Sequence, residues 1–355
     1  MNKITIFPGD GIGVEVVAQA VRVLRKVEKV FDLRFELEEL LAGGASIDRY
    51  GVPLTPEALE KAKNSVAVFL GAVGGPKWDH LPADKRPEKG LLALRKGLNA
   101  YANVRPIKMF PQLIARAPLK EEIVSGLDFV IFRELVSGLY FGSHRGIENI
   151  GSEERGFNTM IYHSSEIERI ARKAFDFARK RRKKVTSVDK ANVLEVSQLW
   201  RKVVIRVAED YPDVVLNHRY VDDCAMQLIR DPKQFDVIVT ENMFGDILSD
   251  ESAMLTGSIG MLPSASIGDQ VAMYEPVHGS APDIAGKDVA NPLAAILSVA
   301  MMLEYSFDHS KAASAVEKAV EDTLEDGYRT GDIYSEGTTR VGCSKMGELV
   351  ADRLH

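Results

Sequence analysis

FDVIVTENMFGDILSD, residues 235–250, decides the reading of this 355-residue chain. Its first part, FDVIVT (235–240), is apolar and β-branched enough for a buried strand. Its second part, ENMFGDILSD (241–250), sets Asp246 and Asp250 four residues apart, so a helix there puts both carboxylates on one face. They would emerge just beyond a strand's carboxyl end, where open α/β sheets bind ligands. Two aspartates one turn apart repel unless a cation lies between them, and a hard divalent ion prefers oxygen ligands. Taken alone, the segment also reads as an exposed acidic helix face.

The neighbouring segments repeat the design. VTSVDKANVLEVSQLWRKVV (185–204) is a strand, a turn carrying Lys190 and Asn192, and a helix striped by Val196, Leu199, Trp200 and Val203. A lysine held among ligands can serve as a general base, although an exposed surface lysine is the plainer reading. VVLNHRYVDDCAMQLI (214–229) follows the same pattern, with Asp222 and Asp223 opening a helix as caps or as part of a site. Charged groups recurring at successive strand ends favour a site.

Upstream, ITIF (4–7), PGDGIG and a helical stripe of Val17, Val21 and Leu24 read as strand, tight loop and helix. Val14 stands where the third glycine of GxGxxG belongs, so a tight turn near a ligand fits better than a dinucleotide fingerprint. VAVFLGAVGGPKW (66–78) again runs a strand into glycines, Gly71, Gly74 and Gly75. PEKGLLALRKGLNAYANVRP (87–106) reads as a helix carrying Arg95, with Arg105 ten residues on; Arg133 stands in DFVIFRE. Guanidinium forks suit carboxylates, and three near strand ends point to a poly-acid substrate rather than to surface charge.

LYFGSHRGIENIGSEERGFNTMIYH (139–163) reads as a projecting arm that can pair between subunits. The basic run Arg179 to Lys184 closes a helix striped by Ile167, Ile170, Ala171, Ala174 and Ala178, where cations stabilise the carboxyl end. GSIGMLPSASIG (257–268) reads as a turn around a ligand or between domains. YEPVHGSAPDIAGKDVANP (274–292) is a long loop ending in an N-cap, Asn291, and a first helical residue, Pro292, before LAAILSVAMMLEY. Its Asp283 could accept hydrogen bonds from a ribose diol and would repel a 2′-phosphate. Further helices are expected at 312–324 and near Met346.

Length favours two domains, and 45% hydrophobic residues is globular. A net charge of −6 disfavours a nucleic-acid or anionic-membrane binder. Two cysteines, Cys224 and Cys343, make neither a disulfide framework nor a CxxC zinc site, and no apolar run approaches membrane length. The expectation is a soluble, cytoplasmic protein without a signal peptide.

With PGDGIG, RPEKGLLALRK, YANVRP, SVDKANVLE, NMFGDILSDE, TGSIGMLPSAS and HGSAPDIAGK in order, the chain resembles the β-decarboxylating dehydrogenases along nearly its whole length. The resemblance implies an α/β fold with an open, mostly parallel sheet lacking Rossmann topology. It also implies two domains, 1–100 plus 257–355 and 101–256, the second dimerising through the arm. The implied reaction is oxidative decarboxylation of 3-isopropylmalate with NAD and Mg²⁺ or Mn²⁺ in a homodimer with shared sites; homoisocitrate or tartrate is the sister alternative. By the same resemblance Arg95, Arg105 and Arg133 bind substrate carboxylates. Asp246 and Asp250 hold the metal with Asp222 of the partner subunit, which also contacts substrate. Tyr140 protonates carbon, and Lys190, likewise from the partner, relays a proton. Glu88, Leu91 and Leu92 meet the isopropyl group and nicotinamide. Gly75, His278, Gly279, Ser280, Ala281, Pro282, Asp283, Ile284 and Asn291 form the cofactor site, where Asp283 and Ile284 imply NAD. Val14, Val136 and Ser137 depart from the commoner pattern, proline at the first and Thr-Gly at the other two.

Overall fold

The computed structural model describes residues 2–355. The chain opens with β1 (Lys3–Gly9), α1 (Gly13–Phe31), β2 (Glu36–Glu39), α2 (Gly44–Tyr50), α3 (Pro56–Lys63), β3 (Ala67–Ala72) and α4 (Pro87–Gly97). Next come β4 (Ala102–Lys108), α5 (Glu121–Val124), β5 (Asp128–Glu134), β6 (Arg145–Ile150), β7 (Glu153–Asn158) and α6 (Ser164–Arg179). They lead into β8 (Lys184–Asp189), α7 (Glu195–Ala208), β9 (Val215–Tyr220), α8 (Val221–Arg230), β10 (Val237–Thr240) and α9 (Asn242–Leu255). The last part holds β11 (Pro263–Ile267), β12 (Ala272–Pro276), α10 (Leu293–Tyr305), α11 (Ser310–Glu325), β13 (Tyr328–Arg329), β14 (Thr339–Arg340) and α12 (Cys343–Asp352).

These elements form two compact units. The first is the chain up to Ala100 with Met109–Gly126 and Ala253–His355; the second is Tyr101–Lys108 with Leu127–Ser252. Residues 109–126 and 253–256, which the sequence reading assigned to the second domain, thus lie with the first unit. The reason for 109–126 is local: Leu113 is buried, Gln112 donates to Glu325, and its carbonyl accepts from Arg329.

In the first unit the strand order is β2-β1-β3-β12-β11, parallel except for the β11–β12 pair. Phe7 pairs with Leu70, and Val68 with both Thr5 and Met273. Phe7, Val68, Leu70 and Met273 therefore share a face, packed with Ala58, Ala62, Leu94 and Leu98. The alternate residues Ile4, Ile6, Phe69 and Tyr274 are buried too, with α1 and α10 against these strands. Burial on both faces is what parallel strands require, and α10, apolar all round, is buried from Leu293 to Leu303. In the second unit the order is β4-β5-β10-β8-β9, parallel except for β4–β5. Helices α6 and α7 pack on it, and buried Trp200 donates to Ser187. Neither order is that of a Rossmann sheet. β6 and β7 make the exposed hairpin expected of the arm, leaving Ile147 and Ile150 in solvent.

The PGDGIG loop shows why its glycines are not a dinucleotide fingerprint. Asp10 is buried and accepts backbone N–H bonds from Gly44 at 2.7 Å, Ala45 at 2.8 Å and Gly74 at 2.8 Å. One carboxylate thus ties three loops together. Gly11, at φ +56°, lies so close to the Ser280 carbonyl that a Cβ would sit 2.0 Å from its oxygen. Two sequence expectations shift in detail. GSIGMLPSASIG is half strand, β11, preceded by a short 3-10 turn at Ile259–Met261. Helix α10 begins one residue late, at Leu293, whose N–H is capped by the Asn291 side chain at 3.0 Å.

Candidate functional site

The second unit gathers five of the expected residues into one cluster. β10 ends at Thr240 and α9 begins at Asn242, so Asp246 and Asp250 project one turn apart, as the four-residue spacing requires. The Asp246 carboxylate is the hub. Arg133, from the end of β5, forms a close ion pair with its Oδ1, the Tyr140 hydroxyl donates to Oδ2 at 2.9 Å, and Arg105 lies 3.9 Å from Oδ1. Arg105, from β4, also donates to Asp250 Oδ1 at 3.3 Å and to Ser249 Oγ at 2.6 Å.

Both guanidinium groups are buried and oriented by neutral amides. Asn242 Oδ1 accepts from Arg133 Nε at 2.9 Å and Nη2 at 2.8 Å, and Asn103 Oδ1 accepts from Arg105 Nε at 2.6 Å. The carboxylates are wetter: the Asp246 side chain is 36% exposed and that of Asp250 56%. The arrangement is buried cations with carboxylates facing outward, which places hard oxygens at the cluster's surface. Burial raises the Asp250 pKa, opposed by Arg105 and reinforced by Asp246. Burial first, and then the charge of Asp246, pushes the Tyr140 phenol up to about 12, so it stays protonated at neutral pH.

Lys190 and Asp222 pair with each other, and the Lys190 bond holds the Asp222 carboxyl below its ordinary range. Asp222 lies in the first turn of α8 and does not cap it; Asp223 instead pairs with Arg219. Among the described residues no three His, Cys, Asp or Glu side chains gather around one point, so Asp222 does not join Asp246 and Asp250 within the single chain.

The first unit carries Arg95, Glu88, Leu91 and Leu92 on α4. Arg95 is buried and donates from Nη2 to Glu275 at 2.7 Å, while its Nε has no partner among the described residues. Leu91 packs against the core beneath it, and Glu88 is exposed, near Gly74.

The same unit contains a cavity of about 320 Å³ walled by Ile12, His278, Ala281, Ile284, Asn291 and Asp332 among others. His278 is buried, with Nδ1 2.9 Å from the Gly279 carbonyl and Nε2 without a partner among the described residues. Burial lowers its pKa, so the ring is neutral at neutral pH and one nitrogen is left for a ligand. Ser280 is buried and its carbonyl accepts from Ile12 N–H at 2.8 Å; Ala281 holds φ +36°, and Pro282 and Asp283 are exposed. Gly75 holds φ +153° at the start of a short 3-10 turn.

Several residues escaped the sequence reading. Asp332 accepts from Ser258 at 2.6 Å and Asn291 at 2.9 Å, and so fixes the cavity wall from far along the chain. Arg340 also lines that wall. Asn242, Ser249, Asn103 and Glu275 orient the arginines. Asn242 and Ser249 stand inside the NMFGDILSD motif, and an i, i+7 spacing from one helical face could have singled them out.

A family model described as isocitrate/isopropylmalate dehydrogenase matches residues 3–350. Relatives named 3-isopropylmalate dehydrogenase include one from Aquifex aeolicus, 59% identical over 99% of this chain and 97% of its own. Another, from Gloeobacter violaceus, is 61% identical over 98% of this chain and 96% of its own. An isocitrate dehydrogenase structure from Methylococcus capsulatus superposes with a TM-score of 0.89 at 36% identity, covering 100% of this chain and 99% of that one. A β-decarboxylating dehydrogenase from Thermococcus kodakarensis gives a TM-score of 0.81 at 36% identity, over 100% of this chain and 96% of its own. By sequence over nearly its full length and by fold, the chain belongs to the isocitrate/isopropylmalate dehydrogenase family.

Proposed function

We propose that the protein oxidises and decarboxylates 3-isopropylmalate to 4-methyl-2-oxopentanoate and CO₂, reducing NAD⁺, in leucine biosynthesis in the cytoplasm. The observation that carries this reading is the Asp246 carboxylate, which accepts from both Arg133 and Tyr140 while Asp250 stands one turn away. Identity near 60% to relatives named for that substrate favours it over the homoisocitrate and tartrate alternatives.

Arg95, Arg105 and Arg133 hold the two substrate carboxylates, with buried guanidinium groups already oriented for planar acceptors. Leu91 and Leu92 present apolar surface to the isopropyl group, with Glu88 beside them. Asp246, Asp250 and Asp222 of the partner subunit would hold Mg²⁺ or Mn²⁺, an all-oxygen donor set of the kind those ions prefer. When bound, the ion supplies Lewis acidity, favouring ionisation of the substrate hydroxyl and stabilising negative charge as CO₂ leaves. Lys190 of the partner subunit relays the hydroxyl proton away. Tyr140, kept protonated by burial and by Asp246, donates a proton to the carbon that has lost CO₂.

The His278 to Asn291 cavity would hold the adenosine of NAD, with the His278 Nε2 and the Asn291 side chain offering it polar atoms, and the cofactor when bound would supply the hydride acceptor. Gly75 and Gly279 to Pro282 line its path. Exposed Asp283 would accept from the ribose hydroxyls and repel a 2′-phosphate, and Ile284 would supply apolar wall.

The test is NADH absorbance with purified protein, NAD⁺, Mg²⁺ and racemic 3-isopropylmalate, with homoisocitrate, tartrate and NADP⁺ in parallel. Reduction with isopropylmalate that EDTA abolishes is the expected result. Activity on a sister acid alone would overturn the substrate assignment, and silence with all would overturn the reaction.

A further inference from the structure

The turn that presents Tyr140 is strapped from behind by carboxylates that take no part in the chemistry above. β5 ends with Arg133, which enters the Asp246 cluster, and Glu134, which the strand alternation sends the other way. The Glu134 side chain is fully buried. Its Oε2 accepts the backbone N–H groups of Val136 at 3.2 Å and Ser137 at 2.9 Å, and its Oε1 lies 3.5 Å from Arg169, whose guanidinium stacks on Tyr101 at 4.2 Å. The Ser137 hydroxyl donates to Glu166 Oε1, and the other Glu166 oxygen accepts the His163 N–H at the start of α6.

The strap runs on into the site. The Ser137 carbonyl accepts from Asn242 Nδ2 at 3.1 Å, and the other end of that amide holds Arg133. Gly138 takes φ +78°, where a Cβ would lie 2.3 Å from the Tyr162 hydroxyl, and its N–H donates to Ile161 O at 3.1 Å. The 3-10 turn Gly138–Tyr140 follows, ending in the Tyr140 bond to Asp246.

We propose that Glu134 is a positioning residue for the reaction: its buried carboxylate, with the Ser137–Glu166 bond, fixes the turn that sets the Tyr140 hydroxyl in place. The inference rests on the proton-donor role given to Tyr140 under the proposed function. An ionised carboxylate makes charge-assisted bonds to the two amides that a neutral acceptor of the same shape makes less strongly. Burial pushes the Glu134 carboxyl up to about 7, against the Ser137 and Val136 amides and Arg169, with Glu166 adding to the rise. Tyr162, and Glu241 beyond it, complete the titratable groups on that side.

The experiment is amide hydrogen exchange of the 135–141 segment, corrected for intrinsic rates, at pH 6 and pH 8, alongside steady-state kinetics for wild type, Glu134→Gln and Ser137→Ala. Protection of the wild-type segment is expected to change between pH 6 and pH 8, and that of Glu134→Gln is not. Glu134→Gln should raise exchange at Val136 and Ser137 about tenfold and lower kcat about tenfold, with both KM values within about twofold. It should also flatten the near-neutral limb of the kcat profile. Ser137→Ala should show the same pattern at about threefold, and serves alone if Glu134→Gln does not fold. Unchanged exchange in the variants, or faster exchange with kcat and its pH profile unmoved, would overturn the proposal. Wild type silent on every acid would overturn the proposed reaction and the strap's catalytic role with it, whereas wild-type turnover with a rigid turn in Glu134→Gln overturns the strap alone.

Discussion

The Asp246 cluster of the second unit and the His278 cavity of the first are built on opposite physical principles. The cluster packs two buried guanidinium groups under two partly exposed carboxylates. The cavity is mainly apolar wall around a neutral imidazole and a few side chains that Asp332 holds in place. The first can act by electrostatics and proton transfer and should respond to charge and pH. The second can act by shape and a few hydrogen bonds and should respond to what its rim admits.

The largest expected effect is on charge. Asp246→Asn keeps the side chain's shape and one carbonyl acceptor for Arg133 but removes the charge that a divalent ion needs. A fall in kcat on the order of a thousandfold is expected, about 4 kcal/mol of transition-state stabilisation, with the thermal unfolding midpoint little changed. Full turnover at saturating Mg²⁺ would erase the contrast between the two regions.

The next effect is on pH. Glu134 has its pKa raised from 4.5 to about 7 in the folded chain. Such a group favours the fold when protonated, so its contribution is complete below about 4.5 and is lost as pH rises through about 7. Relative to Glu134→Gln, which does not titrate, the wild type should lose about 3 kcal/mol of unfolding free energy over that window. Urea titrations of both proteins at several pH values give the difference, and a pH-independent gap would show that the turn behind Tyr140 does not titrate. The cavity side should run the other way: burial lowers the His278 pKa, so its neutral ring favours the fold above the ordinary value of 6.5 and loses stability as pH falls through it.

How far the sequence carried these two regions follows from their chemistry. The Asp246 cluster was legible because its residues sit at strand ends and at helical spacing, where period and charge show in one dimension. The parallel core was legible in runs such as FDVIVT and VAVFLG, which are apolar on both faces. The Glu134 strap was hidden: a glutamate beside an arginine in DFVIFRE looks like surface, and only the fold reveals that it is buried against backbone amides. Asp10 went unremarked in its glycine-rich loop, where its carboxylate is spent on three amides. Asp332 and Arg340 were out of reach because nothing local links them to the loop they face.

At the cavity rim the expected change is in selectivity. Asp283→Lys with Ile284→Tyr replaces an exposed anion by a cation and an apolar group by a hydroxyl. The ratio of kcat/KM for NADP⁺ to that for NAD⁺ should rise at least about thirtyfold, roughly 2 kcal/mol, without change in the KM for isopropylmalate. An unaltered ratio would place cofactor discrimination elsewhere on the wall, with Arg340 the first residue to examine.

The smallest effect tests whether the cluster is rigid or merely charged. Ser249→Ala removes one neutral acceptor from Arg105, which keeps Asn103 at 2.6 Å and Asp250 at 3.3 Å. If charge alone mattered, nothing would change, because every ionised group remains. If orientation of the fork matters, the substrate carboxylate meets a guanidinium freer to rotate. The KM for isopropylmalate should then rise about three- to sixfold, near 1 kcal/mol, with kcat nearly unchanged, since the interaction is shared by ground and transition states. A fall in kcat instead would mean that Ser249 acts on the reacting carboxylates through Asp246, whose carbonyl accepts from the same hydroxyl at 3.0 Å. Arg105 would then belong to the chemistry as well as to substrate binding.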